Sequence, residues 1–268
     1  MSSPTDQGTL EKQNKLSKRS RVSAVIPAYN EEERVVDVLE AIANSTKVDE
    51  ILVVTDGCTD DTAGRVRAWL QQRPSGAMPV RLFELRTNIG KGGAMAHGAH
   101  VADADILLFL DADLIGLQPH QVDDLLAPLL REDKPADMAL GLFGAVRGGL
   151  LGWWLSYNHR LYSFMTGQRA IRRDLFLAVP GLTRSRFGVE AAITCFVKSD
   201  PELKVEYTYL HAVTHPIKEE KLGPWRGFRK RTQMYRQVWG TMLRHRAKIE
   251  MTKQRNKAQE RIERFGNK

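Results

Sequence analysis

Cysteine is scarce in this chain: Cys58 and Cys195 are the only two among 268 residues, and they lie far apart in sequence. Two thiols so placed exclude a disulfide framework and fit a reducing compartment, the cytoplasm. Long apolar runs are also missing. The most apolar window, 138–155, is interrupted by Arg147 and rich in glycine, so it does not read as a membrane span. Residues 1–20 are polar and Ser/Lys-rich with no apolar core; they carry no signal peptide and read as a disordered tail. What is present is 42% hydrophobic residues, enough to bury one sizeable core without a second. Charge is unevenly spread. Residues 224–268 hold fourteen Lys/Arg against three Glu, a net +11 that exceeds the +8 of the whole chain, so the remainder is weakly acidic.

The most informative stretch is Asp105-Ile-Leu-Leu-Phe-Leu-Asp111-Ala-Asp113, an apolar run that stops at two carboxylates separated by one residue. A strand buried on both faces reads as a continuous apolar run, and open α/β sheets bind ligands just beyond the carboxyl ends of their strands. Mg²⁺ or Mn²⁺ takes one or two protein carboxylates there and completes its shell with water and phosphate oxygens, which implies a diphosphate substrate. The competing reading of an Asp-x-Asp triplet is a solvated turn with one Asp capping the next helix.

Two further strand ends upstream favour the metal. Arg21-Val-Ser-Ala-Val-Ile26 breaks at Pro27-Ala28-Tyr29-Asn30-Glu31, and Val35, Val36, Leu39 and Ile42 then recur at helical spacing. Glu50-Ile-Leu-Val-Val-Thr55 repeats the plan, ending in Asp56-Gly57-Cys58-Thr59-Asp60-Asp61 before a helix marked by Val66, Trp69 and Leu70. Val80-Arg-Leu-Phe-Glu-Leu85 is a third strand, followed by Asn88-Ile-Gly90-Lys91-Gly92-Gly93 and a helix with Ala94, Ala96 and Ala99. Four strands alternating with helices imply a parallel, doubly wound α/β sheet. Glu31, Asp56 and Asp111 then share one edge of it. Lys91 sits between glycines, where backbone approaches closely and an ammonium can meet a phosphate.

The set Val25-Ile-Pro-Ala-Tyr-Asn-Glu31, Val53-Val-Thr-Asp-Gly-Cys-Thr-Asp-Asp61, Asn88-Ile-Gly-Lys-Gly92 and Phe109-Leu-Asp-Ala-Asp113 resembles, in order and spacing, the family 2 type of GT-A glycosyltransferases. The later Phe187-Gly-Val-Glu190 is similar to a segment of its glucosyl-3-phosphoglycerate synthase and dolichyl-phosphate-mannose synthase subgroups. The resemblance implies a GT-A fold over 21–223, with sugar transferred from a nucleoside diphosphate donor, UDP-linked in preference to GDP-linked. Family 2 implies inversion at the anomeric carbon, and the synthase subgroup implies retention.

The resemblance also distributes roles. Pro27, Ala28, Tyr29 and Glu31 line the nucleotide pocket, although acids at 31–33 also suit a helix N-terminus. Asp56 meets the base edge, while Thr59, Asp60 and Asp61 cap the following helix. Lys91 and Gly92 meet phosphate; Asp111 and Ala112 face ribose or sugar; Asp113 holds the metal and is the first catalytic candidate. Dolichyl-phosphate-mannose synthases place a metal-binding Gln two positions after the second Asp, where this chain has Ile115. His215 is the replacement ligand that the related synthases suggest. Gln168 and Arg169 are expected to read hydroxyls or phosphate, with Arg172 and Arg173 an exposed basic face. Glu190 orients the acceptor, acts as general base, or caps its helix. His97 and His100 read as packing or surface residues.

Residues 224–268 place Trp225, Phe228, Tyr235, Trp239 and Met242 near one helical face among Arg229, Lys230, Arg231, Arg236 and Arg244. This basic amphipathic extension suits an anionic membrane surface or docks its aromatic face on the catalytic domain. Lys218, Lys221 and Arg226 stand ahead of it as a clamp on the donor diphosphate. Candidate partners are therefore a nucleotide-sugar donor, a small-molecule or lipid-linked acceptor, the inner face of the cell membrane and a second copy of the chain. A nucleotidyltransferase is disfavoured because its first loop is glycine-rich, unlike Pro27-Ala-Tyr-Asn-Glu-Glu32. A nucleic-acid-binding module acting through the basic tail has adequate electrostatics but no recognisable motif, and an acidic catalytic domain opposes it.

Overall fold

The computed structural model describes residues 19–143, 166–182 and 188–214. His215, Lys218, Lys221 and the extension 224–268 lie outside the described residues, as do 1–18 of the expected N-terminal tail and Phe187. Among the described residues seven strands form one sheet: β1 (Val22–Ala28), β2 (Glu50–Asp56), β3 (Val80–Leu85), β4 (Ile106–Phe109), β5 (Met138–Phe143), β6 (Arg169–Arg172) and β7 (Val205–Leu210). Their order is β3-β2-β1-β4-β6-β5-β7. The four strands read from the sequence are mutually parallel, as expected. Beyond β4 the sheet changes character, because β6 runs antiparallel to both β4 and β5 while β7 is parallel to β5.

The alternation of β1 explains the layers. Ala24 and Ile26 face a core shared with α1 (Val35–Ala43), α2 (Thr62–Gln71) and α4 (Pro119–Leu126), represented by Leu39, Val66 and Leu125. Val25 faces the opposite way, into a second core with α3 (Lys91–Val101), α5 (Arg173–Ala178) and α6 (Val189–Lys198), represented by Met95, Phe176 and Ile193. Both faces of the central strands are covered, so β2 is buried at all seven positions and its centre, Ile51 to Val54, reads as one apolar run. The α3 helix packs close to β1: a Cβ on Gly98 would collide with Val25 Cγ1.

This winding creates the crevice. The chain travels outward from β1 to β3, then returns through α3 to β4 on the other side of β1. Strand order therefore reverses between β1 and β4, the topological switch point where doubly wound sheets bind ligands. The two strands also part there. β4 stops pairing at Phe109, opposite Val25, while β1 stays registered on β2 as far as Ala28 opposite Thr55. Pro27, which has no N–H to donate, stands where the β4 partner has ended.

At the opposite edge of the sheet, Glu50 ties three elements together. Its buried carboxylate accepts from Ser23 Oγ at 2.5 Å, Arg81 Nη2 at 2.9 Å and the Asp103 amide at 3.1 Å. Burial raises its pKa, but these donors outweigh burial and hold it below the ordinary glutamate value. A depressed carboxyl contributes stability at neutral pH that is lost as pH falls. Glu50→Gln should cost roughly 1–3 kcal/mol at pH 7 by urea unfolding. The gap to the wild type should narrow progressively below about pH 5.

Candidate functional site

The walls of the crevice are loops stapled to each other. Asn30, with a left-handed φ of 57°, donates from Nδ2 to Thr59 Oγ1 at 3.1 Å and accepts the Thr59 amide at 2.8 Å. The Glu31 amide donates to Thr62 Oγ1 at 2.8 Å, and Glu32 Oε2 accepts the Asp61 amide. Of the two acids expected to cap α2, Asp60 does so, accepting the Thr62 amide at 3.0 Å; Asp61, the residue before the helix, makes no side-chain cap bond. The stapling leaves the Tyr29 ring 48% exposed at the crevice rim.

Asp56 is buried at the end of β2. One carboxylate oxygen accepts the Ile89 amide at 2.7 Å and the other the Gly90 amide at 2.8 Å, while Asn88 Nδ2 donates to its carbonyl. Asp56 thus shapes the loop that launches α3, in addition to any ligand it meets. Gly57 is required by the same contact, since it has a φ of 65° and a Cβ there would lie 2.5 Å from the Asn88 nitrogen. The loop delivers Lys91 to the first position of α3, with Gly92 buried behind it.

The Lys91 ammonium is 2.6 Å from Asp111 Oδ1 and 2.5 Å from Glu190 Oε1, with 29% of the side chain exposed. Burial pulls its pKa down, but the two carboxylates raise it further, above the ordinary lysine range. Asp111 Oδ2 accepts Gln168 Nε2 at 2.8 Å. Gln168 reaches it because β6 runs antiparallel to β4 with Arg169 opposite Phe109, a register that continues to Gly167 beside Asp111. Gly167 is the surface on which the Asp111 carboxylate lies: a Cβ there would sit 2.7 Å from Asp111 Cγ and closer still to both oxygens. Sequence alone gives this glycine no role of its own, because the contact depends on strand register.

Arg169 does not face the crevice as expected. It is 0% exposed, and its donors go to the Glu190 carbonyl at 3.0 Å, Thr194 Oγ1 at 3.4 Å and the Thr166 carbonyl. Burial pushes its pKa down to about 10 against the opposing pull of Glu190 and Asp111. Strand alternation is the reason: Gln168 is turned toward Asp111 and its neighbour toward α6. Glu190, in the first turn of α6, meets Lys91 with its carboxylate. Arg172 is half exposed but paired with Asp137 and Asp174, and Arg173 donates to the Ala99 and His100 carbonyls at the end of α3. His97 packs edge-on against Phe83, and His100 Nδ1 is 2.7 Å from the Ala96 carbonyl.

Asp113 lies two residues past Asp111 on the turn that follows β4, with Ala112 buried between them. Among the described residues no three His, Cys, Asp or Glu side chains converge as a metal cage. A hard cation that keeps most of its shell for water and phosphate oxygens needs no such cage, and an acid at this rim suits it. The chain also returns here: Ile115 and Thr214 form an antiparallel bridge, with N–O distances of 2.9 and 3.1 Å. Gln121 Nε2 fixes the turn before it by donating to the His211 carbonyl at 2.6 Å. The residue after Thr214 is His215.

A mostly parallel sheet, a switch-point crevice and acids at the end of β4 define a GT-A glycosyltransferase fold. The model of "Glycosyl transferase family 2" matches residues 23–194, and the chain belongs to that family. Glucosyl-3-phosphoglycerate synthase of Mycolicibacterium smegmatis is 38% identical over 114 residues, 42% of this chain and 37% of that protein. Dolichyl-phosphate beta-glucosyltransferase of Dictyostelium discoideum is 34% identical over 101 residues, 34% of this chain and 30% of that protein. The matched region spans well under half the length of these curated relatives. Among solved structures, glucosyl-3-phosphoglycerate synthase from Mycobacterium tuberculosis in complex with Mn²⁺, UDP and glucosyl-3-phosphoglycerate superposes with a TM-score of 0.62 at 26% identity, covering 91% of this chain and 85% of that one.

Replacing Lys91 by Met should leave Asp111 and Glu190 facing each other without their cation. The expected cost is roughly 1–3 kcal/mol by urea unfolding, less than for a fully buried pair because Lys91 is partly exposed. A lysine whose pKa is raised in the fold stabilises at every pH below its ordinary range, so its contribution to this cost should be undiminished at pH 9 relative to pH 7.

Proposed function

We propose that this chain transfers a sugar from a UDP-sugar, with Mn²⁺ or Mg²⁺, to a phosphate-bearing acceptor. One observation carries the reading: the Lys91 ammonium is held between Asp111 and Glu190 at the switch point, and Asp113 follows Asp111 by two residues. Its support from outside the chain is a M. tuberculosis synthase structure that holds Mn²⁺, UDP-glucose and phosphoglyceric acid together.

On this reading the exposed Tyr29 ring meets the base, beside Pro27, Ala28 and Glu31. The diphosphate lies at the N-terminus of α3, where backbone amides and Lys91 favour an anion. Asp113 and His215 would hold the metal, which when bound would supply Lewis-acid neutralisation of the departing diphosphate. Asp111, fixed by Lys91 and Gln168, presents its remaining lone pairs to ribose or sugar hydroxyls. Lys218 and Lys221 supply further cations for the diphosphate. Glu190, the second carboxylate on Lys91, is the one left for the acceptor. A phosphate acceptor is already an anion and needs no base, so Glu190 orients it or deprotonates it according to its chemistry.

Calorimetric titration of UDP and GDP, each with and without Mn²⁺, tests the donor site. UDP should bind in the micromolar range only with Mn²⁺, and Asp113→Asn should weaken that binding about tenfold or more. Equal binding without metal, or an unaffected Asp113→Asn variant, would remove the site assignment.

The dolichyl-phosphate relative and the +11 charge of 224–268 favour a second reading, a lipid-linked phosphate acceptor at an anionic membrane surface. Among the described residues no helix is long and apolar enough to cross a membrane. Attachment would therefore run through the basic extension. Deleting 224–268 should abolish co-sedimentation with phosphatidylglycerol vesicles; undiminished binding assigns attachment elsewhere.

A further inference from the structure

We infer that Arg169 is a positioning residue that sets the Glu190 carboxylate against Lys91. Its guanidinium joins two segments that share no backbone pairing: the Thr166 carbonyl just before β6, and the Glu190 carbonyl with Thr194 Oγ1 in the first turns of α6. It makes no ion-pair contact with a carboxylate among the described residues, and its Nε is buried with no partner. A fully buried cation without a paired acid is costly, and an aliphatic side chain of similar volume would fill the space at lower cost. What an aliphatic side chain could not do is bind those two carbonyls. Arg169 stands opposite Phe109 and Leu140, on the sheet face covered by α6, while Gln168 contacts Asp111. Consecutive residues thus anchor the two carboxylates that share Lys91. Gln168 fixes Asp111 directly, and Arg169 fixes Glu190 through the backbone of its helix.

The contact can be read without substrate. In the wild type the Lys91 ammonium is held by two carboxylates, so its N–H protons should exchange slowly enough to give a ¹H–¹⁵N signal, assigned by its loss in Lys91→Met. Arg169→Met keeps the volume and removes the donors. With native circular dichroism and a cooperative melt, it should speed Lys91 proton exchange about tenfold, the worth of one hydrogen bond in an opening equilibrium. Arg169→Lys, which reaches one carbonyl at a time, should give an intermediate rate. An unchanged Lys91 signal in a folded Arg169→Met overturns the inference; should that variant not fold, an unchanged rate in Arg169→Lys does so.

Only the second arm rests on the proposed donor. With UDP and Mn²⁺, Glu190→Gln should shift affinity about threefold or more in the wild type and have little effect in Arg169→Met, the non-additivity of residues acting on one contact. Additive effects would show that Arg169 acts independently of Glu190. Absence of UDP binding by the wild type would refute the proposed function while leaving the exchange measurement to decide the role of Arg169.

Discussion

The site depends on one ammonium. Lys91 begins α3, Asp111 ends β4 and Glu190 opens α6, so its two ion pairs join segments that no backbone hydrogen bond connects. Two of them belong to the parallel half of the sheet and the third to the half added after β4. Arg169 lies behind them without contacting either carboxylate, although its charge still acts on both. Lys91 offsets the charge of the two carboxylates that it joins, which lowers the cost of burying them.

The parallel half was legible because each feature is local. Continuous apolar runs give buried strands, and the residues after each run fall at one edge whatever the details of packing. Glu31, Asp56 and Asp111 therefore fall at one edge on the sequence pattern alone. The second half was not legible. The β6 strand has four residues with arginine at both ends, a composition that suggests a surface turn until β4 and β5 pair with it. The β5 strand begins an apolar window whose length and glycine content hide its boundary. Pairing between distant segments, not local propensity, makes these strands.

The same distinction separates the two residues that were named together. Both Gln168 and Arg169 are expected to read hydroxyls or phosphate, and only Gln168 touches a side chain of the crevice, Asp111. Which of two neighbours faces a site is decided by the parity of strand register, and a one-residue shift would exchange them. The identity of Gly167 belongs to the same class. Its missing side chain matters only because the register sets it beside the Asp111 carboxylate. Sequence could supply the candidates here, but only the pairing of β6 with β4 could sort them.

That pairing also constrains how such a site can change. Because β6 lies between β4 and β5, a slip in its register would displace Gln168 from Asp111 and Arg169 from α6 together. Asp111 and Glu190 are thus coupled through a single short strand. A substitution that moves α6 acts on Lys91 through Glu190, and from Lys91 on Asp111. Under the proposed function donor and acceptor preferences are then not independent of one another, and variation in either is most easily accommodated outside this strand, in segments that do not carry its register.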